Sequence, residues 1–242
     1  MLMINKNSPV PIYYQLEEII RQQIDDGTLM PGKAIPSERE YAELYQISRM
    51  TVRQAINKLV NEGLLYRKKG TGTFVQPKKV EQVFQKLTSF SEDMIERGLV
   101  PKSKVLTFEH VPVNDLIAKS LKLENNSTAL KIVRIRYADD SPMAIETSYM
   151  PADLMKDLQP EQAEESIYEF IEKNLQLKIQ TAYQELEATI ADEKLANLLN
   201  ISEGDPVLLI NRITYTSDGI PFEFCQSSFC AYRYRFINYL TR

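Results

Sequence analysis

The chain has 242 residues, with 29 lysines and arginines, 33 aspartates and glutamates and one histidine, which gives a formal net charge of −4. This balance excludes non-specific binding of nucleic acid by the whole surface. His110 is the only histidine, which excludes metal sites built from several histidines, and we expect neither a metal nor a cofactor. The length allows one or two domains, each with its own core.

The apolar segments and the cysteines bear on location. Residues 1–11 lack the apolar core of a signal peptide, and no apolar run is long enough to span a membrane. We therefore expect a cytoplasmic protein without membrane contact. Cys225 and Cys230 lie on opposite faces of one predicted strand, so a disulfide between them is not expected.

Two helices are predicted in the first 46 residues. Pro11 suits the first turn of a helix that ends at Gly27. The apolar residues at helical spacing between them are Ile12, Leu16, Ile19, Ile20 and Ile24. Ser37 can cap a short helix that runs through Tyr45, and Glu40 completes a capping box.

A third helix follows, and its two faces differ in chemistry. Its apolar stripe, which must pack against other elements, comprises Val52, Ala55, Ile56, Leu59 and Val60. Arg49, Arg53 and Asn57 recur at four-residue intervals on the other side. Ser48 is a candidate N-cap and Gly63 a candidate stop.

The segment after this helix predicts a short basic hairpin. Residues 64–68 and 73–76 can pair across a turn that contains Lys69 and Gly70. Between residues 47 and 79, eight lysines or arginines stand against one acid. A helix with an Arg and Asn edge and a basic hairpin suits a DNA groove and its phosphates. The alternative is a solvated helix face on another small domain, which the hairpin and the local charge disfavour.

Four short runs in this region carry a family resemblance. They are Pro36-Ser37-Glu38-Arg39, the run from Ser48 to Ala55, Glu62-Gly63-Leu64 and the run from Gly70 to Val75. Together they resemble the N-terminal domain of the GntR family of bacterial transcription regulators. The resemblance implies a winged helix-turn-helix in residues 1–76 that binds double-stranded operator DNA. The residues it implies at the DNA are Arg39, Arg49, Thr51, Arg53, Gln54, Lys69 and Gly70.

The composition changes after the hairpin. Residues 77–86 are charged and have no clear partner face, so we predict a linker there and a second domain at residues 87–242. Residues 1–76 carry a net charge of +2 and residues 77–242 a net charge of −6, so the two parts have different roles.

The second domain is predicted to be an α/β (α+β) domain built on an antiparallel sheet. A capped helix begins near Ser89. Predicted strands lie at residues 103–112, 128–138, 143–150, 178–190, 206–216, 221–230 and 235–240, and helices at 114–121, 166–173 and 192–199. Two predicted hairpins are weakly alike at residues 134–137 and 212–215, which indicates an internal duplication.

Two arginines in this domain indicate an anionic ligand. Arg134 and Arg136 project from the same face of one strand, so their charges need an anion. That anion is either a carboxylate on a neighbouring strand, with Glu146 the obvious candidate, or a ligand. The free N–H groups of the helix start at Ser89, Phe90 and Ser91 can supply the other half of a phosphate site if the two elements meet. The spacing alone leaves both possibilities open.

A second resemblance covers this domain. It rests on Leu87-Thr88-Ser89-Phe90, Arg134-Ile135-Arg136, the run from Pro142 to Glu146, Ser166-Ile167-Tyr168 and Pro221-Phe222-Glu223. These runs are similar to the effector-binding UTRA domain of the HutC subfamily, whose fold resembles chorismate lyase and whose members bind ligands without turning them over. The resemblance implies a homodimer with a phosphorylated sugar, glucosamine 6-phosphate or N-acetylglucosamine 6-phosphate, as effector. The residues it implies at the effector are Ser89, Phe90, Ser91, Arg134, Arg136, Glu146, Ser166, Tyr168 and Glu223, with Phe229 where the subfamily leads us to expect a tyrosine.

The sequence therefore predicts an effector-responsive repressor of a sugar-utilisation operon. One alternative keeps the DNA-binding role with a different effector, either another sugar phosphate or an amino-acid derivative such as urocanate. A second alternative is an enzyme in which Glu146 and Glu223 catalyse a reaction of a phosphorylated or carboxylated substrate. The absence of a nucleophile and base motif and the presence of the DNA-binding module count against the enzyme.

Overall fold

The computed structural model of the protein describes residues 3–68, 70–76, 79–83 and 86–241. The chain divides into two compact units, Met1–Lys78 and Lys79–Arg242. Each unit has its own buried apolar core. Among the described residues, no helix combines the length and the apolar character needed to cross a membrane.

The first unit contains three helices and a two-stranded hairpin. These are α1 (Ile12–Asp25), α2 (Glu38–Tyr45), α3 (Arg49–Asn61), β1 (Leu65–Lys68) and β2 (Gly72–Val75). The predicted apolar stripes of α1 and α3 face each other, because Leu16, Ile20, Val52, Ile56 and Leu59 are all buried in one cluster. This arrangement is the predicted winged helix-turn-helix.

Local signals set the ends of these helices as the sequence predicts. The Ser37 hydroxyl accepts a hydrogen bond from the Glu40 N–H at 3.2 Å, and the Glu40 carboxylate accepts one from the Ser37 N–H at 2.7 Å. This capping box starts α2, and α3 starts at Ser48, whose hydroxyl accepts a hydrogen bond from the Thr51 N–H without a reciprocal partner. Gly63 follows α3 with a φ of 75°, a left-handed conformation that glycine adopts without strain.

The second unit is organised by a six-stranded antiparallel sheet. The strands described in this unit are β3 (Val80–Val83), β4 (Pro101–Pro112), β5 (Thr128–Ala138), β6 (Ser141–Pro151), β7 (Ile179–Ile190), β8 (Pro206–Thr216), β9 (Pro221–Cys230) and β10 (Tyr234–Ile237), of which β3 and β10 lie outside the six-stranded sheet. Its helices are α4 (Phe90–Glu96), α5 (Asp115–Leu121), α6 (Pro160–Glu164), α7 (Ile167–Lys173) and α8 (Glu193–Leu199). The order of the strands in the sheet is β4-β5-β6-β9-β8-β7.

This order consists of two similar halves, as the predicted duplication requires. Each half is a long strand, a short helix and a hairpin: β4, α5, β5 and β6 in the first, and β7, α8, β8 and β9 in the second. Asn114 caps α5 and Asp192 caps α8, and each helix ends at a left-handed residue, Lys122 or Asn200. The halves meet along β6 and β9, which form the middle of the sheet.

The predicted linker is partly a strand of the second unit. Val80–Val83 forms β3, which pairs in parallel with Tyr234–Ile237. Val80 and Gln82 of this strand are buried while Glu81 is exposed, so the segment does have a partner face. The sequence hid this face because the partner strand lies far away in the chain. Helix α6, only five residues long, was also not predicted.

Candidate DNA-binding surface and ligand cavity

The residues predicted to contact DNA lie on the exposed side of α3, on α2 and at the hairpin tip. Arg49, Arg53 and Gln54 are exposed, whereas Val52 and Ala55, next to them in the chain, are buried. The polar edge of α3 therefore faces away from the core. An exposed α3 edge of this kind can enter a DNA groove.

The other predicted DNA residues differ in their surroundings. The Thr51 hydroxyl lies 2.8 Å from the Ser48 hydroxyl, so it takes part in the cap of α3. Arg39 is exposed on α2 and pairs with Glu43 at 2.8 Å. Gly70 is exposed at the tip of the hairpin with a φ of 74°, while Lys69 lies outside the described residues.

One acid on α2 holds two of the basic side chains of this surface. Glu38 accepts hydrogen bonds from Arg53, with the Arg53 Nη2 at 2.8 Å and Nε at 3.0 Å from Oε2. The Arg67 Nη2 lies 3.5 Å from Oε1 of the same carboxylate. Sequence reasoning did not assign Glu38, because no local pattern relates a residue of α2 to one of α3.

The second unit contains a cavity against one face of the sheet. Its volume is about 50 Å³, and nine of the ten predicted effector residues line it. The tenth, Ser91, lies next to it and accepts a hydrogen bond from the Arg136 Nη2 at 3.0 Å.

Strand β5 supplies two buried arginines to the cavity. Glu146 lies directly opposite Arg134 on β6, with the Arg134 Nη2 at 2.9 Å and the Arg136 Nη1 at 3.5 Å from its Oε2. The expected carboxylate partner is therefore Glu146, but it is shared by two guanidiniums. The Nε atoms of both arginines are buried and find no acceptor among the residues that the structure describes.

The first turn of α4 contacts this arginine pair. The sequence alone left open whether the two elements meet. The Arg136 guanidinium lies 4.6 Å from the centre of the Phe90 ring, in addition to its hydrogen bond with Ser91. The sequence leads us to expect a free N–H group at Ser89. In the structure this group donates a hydrogen bond to the Glu92 carboxylate at 2.7 Å. The N–H groups of Phe90 and Ser91 belong to the first turn of the helix, where no earlier turn supplies an acceptor.

Burial and the neighbouring charges together shift the pKa values of the charged groups in this cluster. Burial, together with the adjacent charge of Arg134, lowers the pKa of Arg136 to about 10. Burial also disfavours the charged form of Glu146, but Arg136 and Arg134 outweigh it and hold the pKa of Glu146 below its ordinary value. Glu146 is therefore ionised and Arg136 protonated at neutral pH.

Glu223 has a different environment from Glu146. Its carboxyl accepts hydrogen bonds from the hydroxyls of Ser148 at 2.9 Å and Thr214 at 3.4 Å. The Tyr168 hydroxyl lies 3.0 Å from that of Thr214, which connects α7 to the sheet. Burial raises the pKa of Glu223 above its ordinary value. The pKa of Glu146 is therefore lowered, whereas the pKa of Glu223 in the same cavity is raised.

Ser166 and Phe229 complete the set of predicted cavity residues. Ser166 caps α7, and its hydroxyl accepts the Glu169 N–H at 3.3 Å. Phe229 packs against Tyr234, with ring centres 4.5 Å apart, and closes part of the cavity with apolar surface. A tyrosine hydroxyl at position 229 would present a polar group that this chain lacks.

Sequence reasoning missed a third arginine in the cavity wall. Arg212 donates from Nε to the Gln184 Oε1 at 2.8 Å, and no carboxylate of the described residues lies within ion-pair distance of it. In the duplicated hairpins Arg212 faces Cys225 as Arg134 faces Glu146. The likeness of residues 134–137 and 212–215 is the signal that could have identified it.

Cys225 is a thiol in this environment. It is buried beside Ser227, and burial raises its pKa to about 12. Glu146 is the carboxylate opposite Arg134 in the first half of the sheet. The equivalent position opposite Arg212 in the second half holds the uncharged Cys225.

A winged helix-turn-helix joined to a sheet domain with a cationic cavity defines a ligand-responsive DNA-binding regulator. Residues 12–75 match the bacterial regulatory proteins of the gntR family, and residues 96–235 match the UTRA domain. The chain belongs to the GntR family, and its second unit is a UTRA domain.

Individual relatives agree with this assignment. The HTH-type transcriptional repressor NagR of Bacillus subtilis (strain 168) is 48% identical over 99% of this chain and 98% of that protein. The mannosyl-D-glycerate transport/metabolism system repressor MngR of Escherichia coli (strain K12) is 35% identical over 93% and 94%. The crystal structure of PhnF from Mycobacterium smegmatis, at 22% identity, aligns with a TM-score of 0.63 over 93% of this chain and 98% of that one, which shows a shared fold. NagR and MngR are both named as repressors, so the chain is a transcription regulator and not an enzyme.

Proposed function

We propose that the chain represses a sugar-utilisation operon and that a phosphorylated sugar, glucosamine 6-phosphate or N-acetylglucosamine 6-phosphate, is its effector. The observation that carries the proposal is the buried pair Arg134 and Arg136. The two guanidiniums share one carboxylate, and each has an Nε donor without an acceptor in the described part of the chain. A phosphate ester brings negative charge and several acceptor oxygens, so it matches both needs.

The remaining cavity charges also favour an anion. Three arginines, Arg134, Arg136 and Arg212, stand against Glu146 and Glu223. Three cationic side chains against two carboxyls leave an excess of positive charge in the cavity, and the raised pKa of Glu223 favours this excess. The name of the MngR relative, a mannosyl-D-glycerate system repressor, supports an effector derived from a sugar. Glu146 and Glu223 would then accept hydrogen bonds from sugar hydroxyls.

The DNA-binding part of the proposal assigns the exposed edge of α3 to the major groove. Arg49 and Arg53 would read guanines or contact phosphates, and Gly70 would allow close approach of the hairpin tip to the minor groove. Two copies of the chain would read the two halves of a pseudo-palindromic operator. Such a regulator acts in the cytoplasm, where the bacterial chromosome lies.

The effector would act by favouring an arrangement in which two copies no longer fit both half-sites. Thermodynamic linkage then requires operator DNA to weaken effector binding by the same factor by which the effector weakens DNA binding. Equal effector affinity with and without operator would contradict this mechanism.

A second candidate keeps the repressor and replaces the effector by another sugar phosphate or by a carboxylate such as urocanate. Arginines bind carboxylates as well as phosphates, so the cavity charge alone does not separate these ligand classes. Phe229, where a tyrosine is expected, favours a cavity wall adapted to a less polar substituent.

Thermal melting separates these candidates. The purified protein would be melted with each hexosamine 6-phosphate, with the unphosphorylated sugars and with urocanate. A ligand at a hundred times its Kd stabilises the folded state by about 2.7 kcal/mol, which raises Tm by roughly 5 to 10 °C for a unit of this size. We expect that increase only with the sugar phosphates.

Matched variants identify the site. Arg134→Gln should abolish the increase, while Lys131→Gln should preserve it, because Lys131 lies on the same strand and pairs with Glu109 outside the cavity. Circular dichroism of both free variants establishes that they are folded. An increase with urocanate alone would transfer the effector assignment to the second candidate, and an increase that survives Arg134→Gln would disprove the phosphate site.

A further inference from the structure

We infer that Glu38 positions Arg53 for reading a base and that it thereby determines the sequence specificity of the DNA-binding surface. The inference rests on the proposed DNA-binding role of α3. Glu38 itself would not contact a base: it would act through the guanidinium that it holds.

The geometry of the contact fixes the plane of the guanidinium. The Glu38 Oε2 lies 2.8 Å from the Arg53 Nη2 and 3.0 Å from Nε, and Oε1 lies 3.2 Å from Nε. The carboxylate therefore lies along the Nε and Nη2 edge of Arg53. An arginine is planar and rigid at its head, so two contacts along one edge orient the whole group.

This orientation leaves the other edge of Arg53 available. A guanidinium has five N–H donors, and Glu38 occupies the donors of Nε and one of Nη2. The Nη1 and Nη2 donors at the end of the side chain remain, and they form the pair that matches O6 and N7 of guanine. Half of the Arg53 side chain is exposed, so this edge is accessible to DNA.

Glu38 also connects the three elements of the surface. It begins α2, holds Arg53 of α3 and lies 3.5 Å from Arg67 of β1. A carboxylate on a surface that faces phosphates weakens DNA binding by repulsion unless cations neutralise it. Here one acid lies between two arginines, so the local charge stays positive while the guanidinium is held in place.

As an acid in the first turn of α2, Glu38 also stabilises the helix through its dipole, but that role does not require the contact with Arg53. The capping box of α2 uses Ser37 and Glu40 and does not need Glu38. Exposed ion pairs add little to folding stability. Holding a flexible arginine in its binding conformation, in contrast, reduces the entropy lost when DNA binds.

The test compares Glu38→Gln with Glu43→Gln. Both variants remove one negative charge from α2, but Glu43 pairs with Arg39 and not with Arg53. The wild-type protein first selects its preferred sequence from a randomised duplex pool. Binding of each protein is then measured to that duplex and to duplexes in which each guanine is replaced in turn.

We expect Glu38→Gln to reduce about tenfold the preference for the guanine whose preference Arg53→Ala also loses, the scale of one lost bidentate contact, while Glu43→Gln keeps the preference at that guanine. In an Arg53→Ala background, Glu38→Gln should have no further effect on that position. Unchanged preference at that guanine in Glu38→Gln, or an equal loss there in Glu43→Gln, would overturn the inference. If the wild type selects no sequence at all, the proposed DNA-binding function itself fails, which is a different result.

Discussion

Replacement of Glu146 by glutamine tests how the arginine pair is balanced in the free protein. The variant keeps the size of the side chain but removes the only carboxylate within ion-pair distance of Arg134 and Arg136 among the described residues. Removal of one partner of a buried ion pair destabilises a protein by about 3–5 kcal/mol, because the remaining charge stays buried. We therefore expect Tm to fall by roughly 10 °C, at two to four degrees per kcal/mol.

Inorganic phosphate should reverse part of this loss. In the wild-type protein the anion competes with Glu146 for the guanidiniums, whereas in Glu146→Gln no carboxylate of the described residues lies within ion-pair distance of them. We therefore expect phosphate to raise Tm more in the variant than in the wild type. Differential scanning calorimetry of both proteins, with and without phosphate at constant ionic strength, measures the two effects.

The control is Glu109→Gln, which removes the partner of Lys131 from an ion pair that is partly exposed in the same sheet. Its Tm should stay within about 2 °C of wild type, since surface pairs contribute little. The reasoning would be refuted if Glu146→Gln melted as close to wild type as this control does.

Three further predictions address other parts of the molecule. Arg49→Ala should weaken operator binding by about 1–3 kcal/mol if Arg49 reads a guanine, and a gel-shift titration that finds wild-type affinity would remove that assignment. Ser37→Ala should destabilise the first unit by about 1 kcal/mol through loss of the capping box, measurable by urea unfolding against Ser8→Ala, in which the exchanged hydroxyl caps no helix. The pKa of Glu223 is raised by burial, so its neutral form stabilises the fold below the ordinary pKa of glutamate, and this stabilisation is lost as pH rises through the raised value. Urea unfolding across that pH range should show a decline for wild type that Glu223→Gln lacks, and parallel curves would exclude the effect.

Local sequence signals were sufficient for the first unit. The cap at Ser37, the cap at Ser48 and the stop at Gly63 each depend on residues within one turn of each other, and all three are present in the structure. The apolar stripe of α3 was readable for the same reason, since helical periodicity places those side chains on one face.

The contacts that shape the cavity and the DNA-binding surface join residues that are far apart in the chain. These contacts could not be predicted from the sequence. The same-face geometry of Arg134 and Arg136 follows from strand periodicity, but their meeting with Phe90 and Ser91 depends on how α4 packs. Arg212 enters the cavity because the second hairpin lies beside the first across β6 and β9. No pattern within one segment carries that information.

The pairing of β3 with β10 has a consequence for the order in which the protein folds during synthesis. Every partner of the first unit's core lies before residue 79, so that unit can fold as soon as it leaves the ribosome. Val80–Val83, in contrast, must wait for Tyr234–Ile237, which is roughly 10 to 30 seconds of translation at bacterial rates. During that interval the nascent chain would carry a folded first unit joined to a second unit whose fold is incomplete. Loss of β10 by premature termination would make this state permanent, producing a DNA-binding unit without effector control.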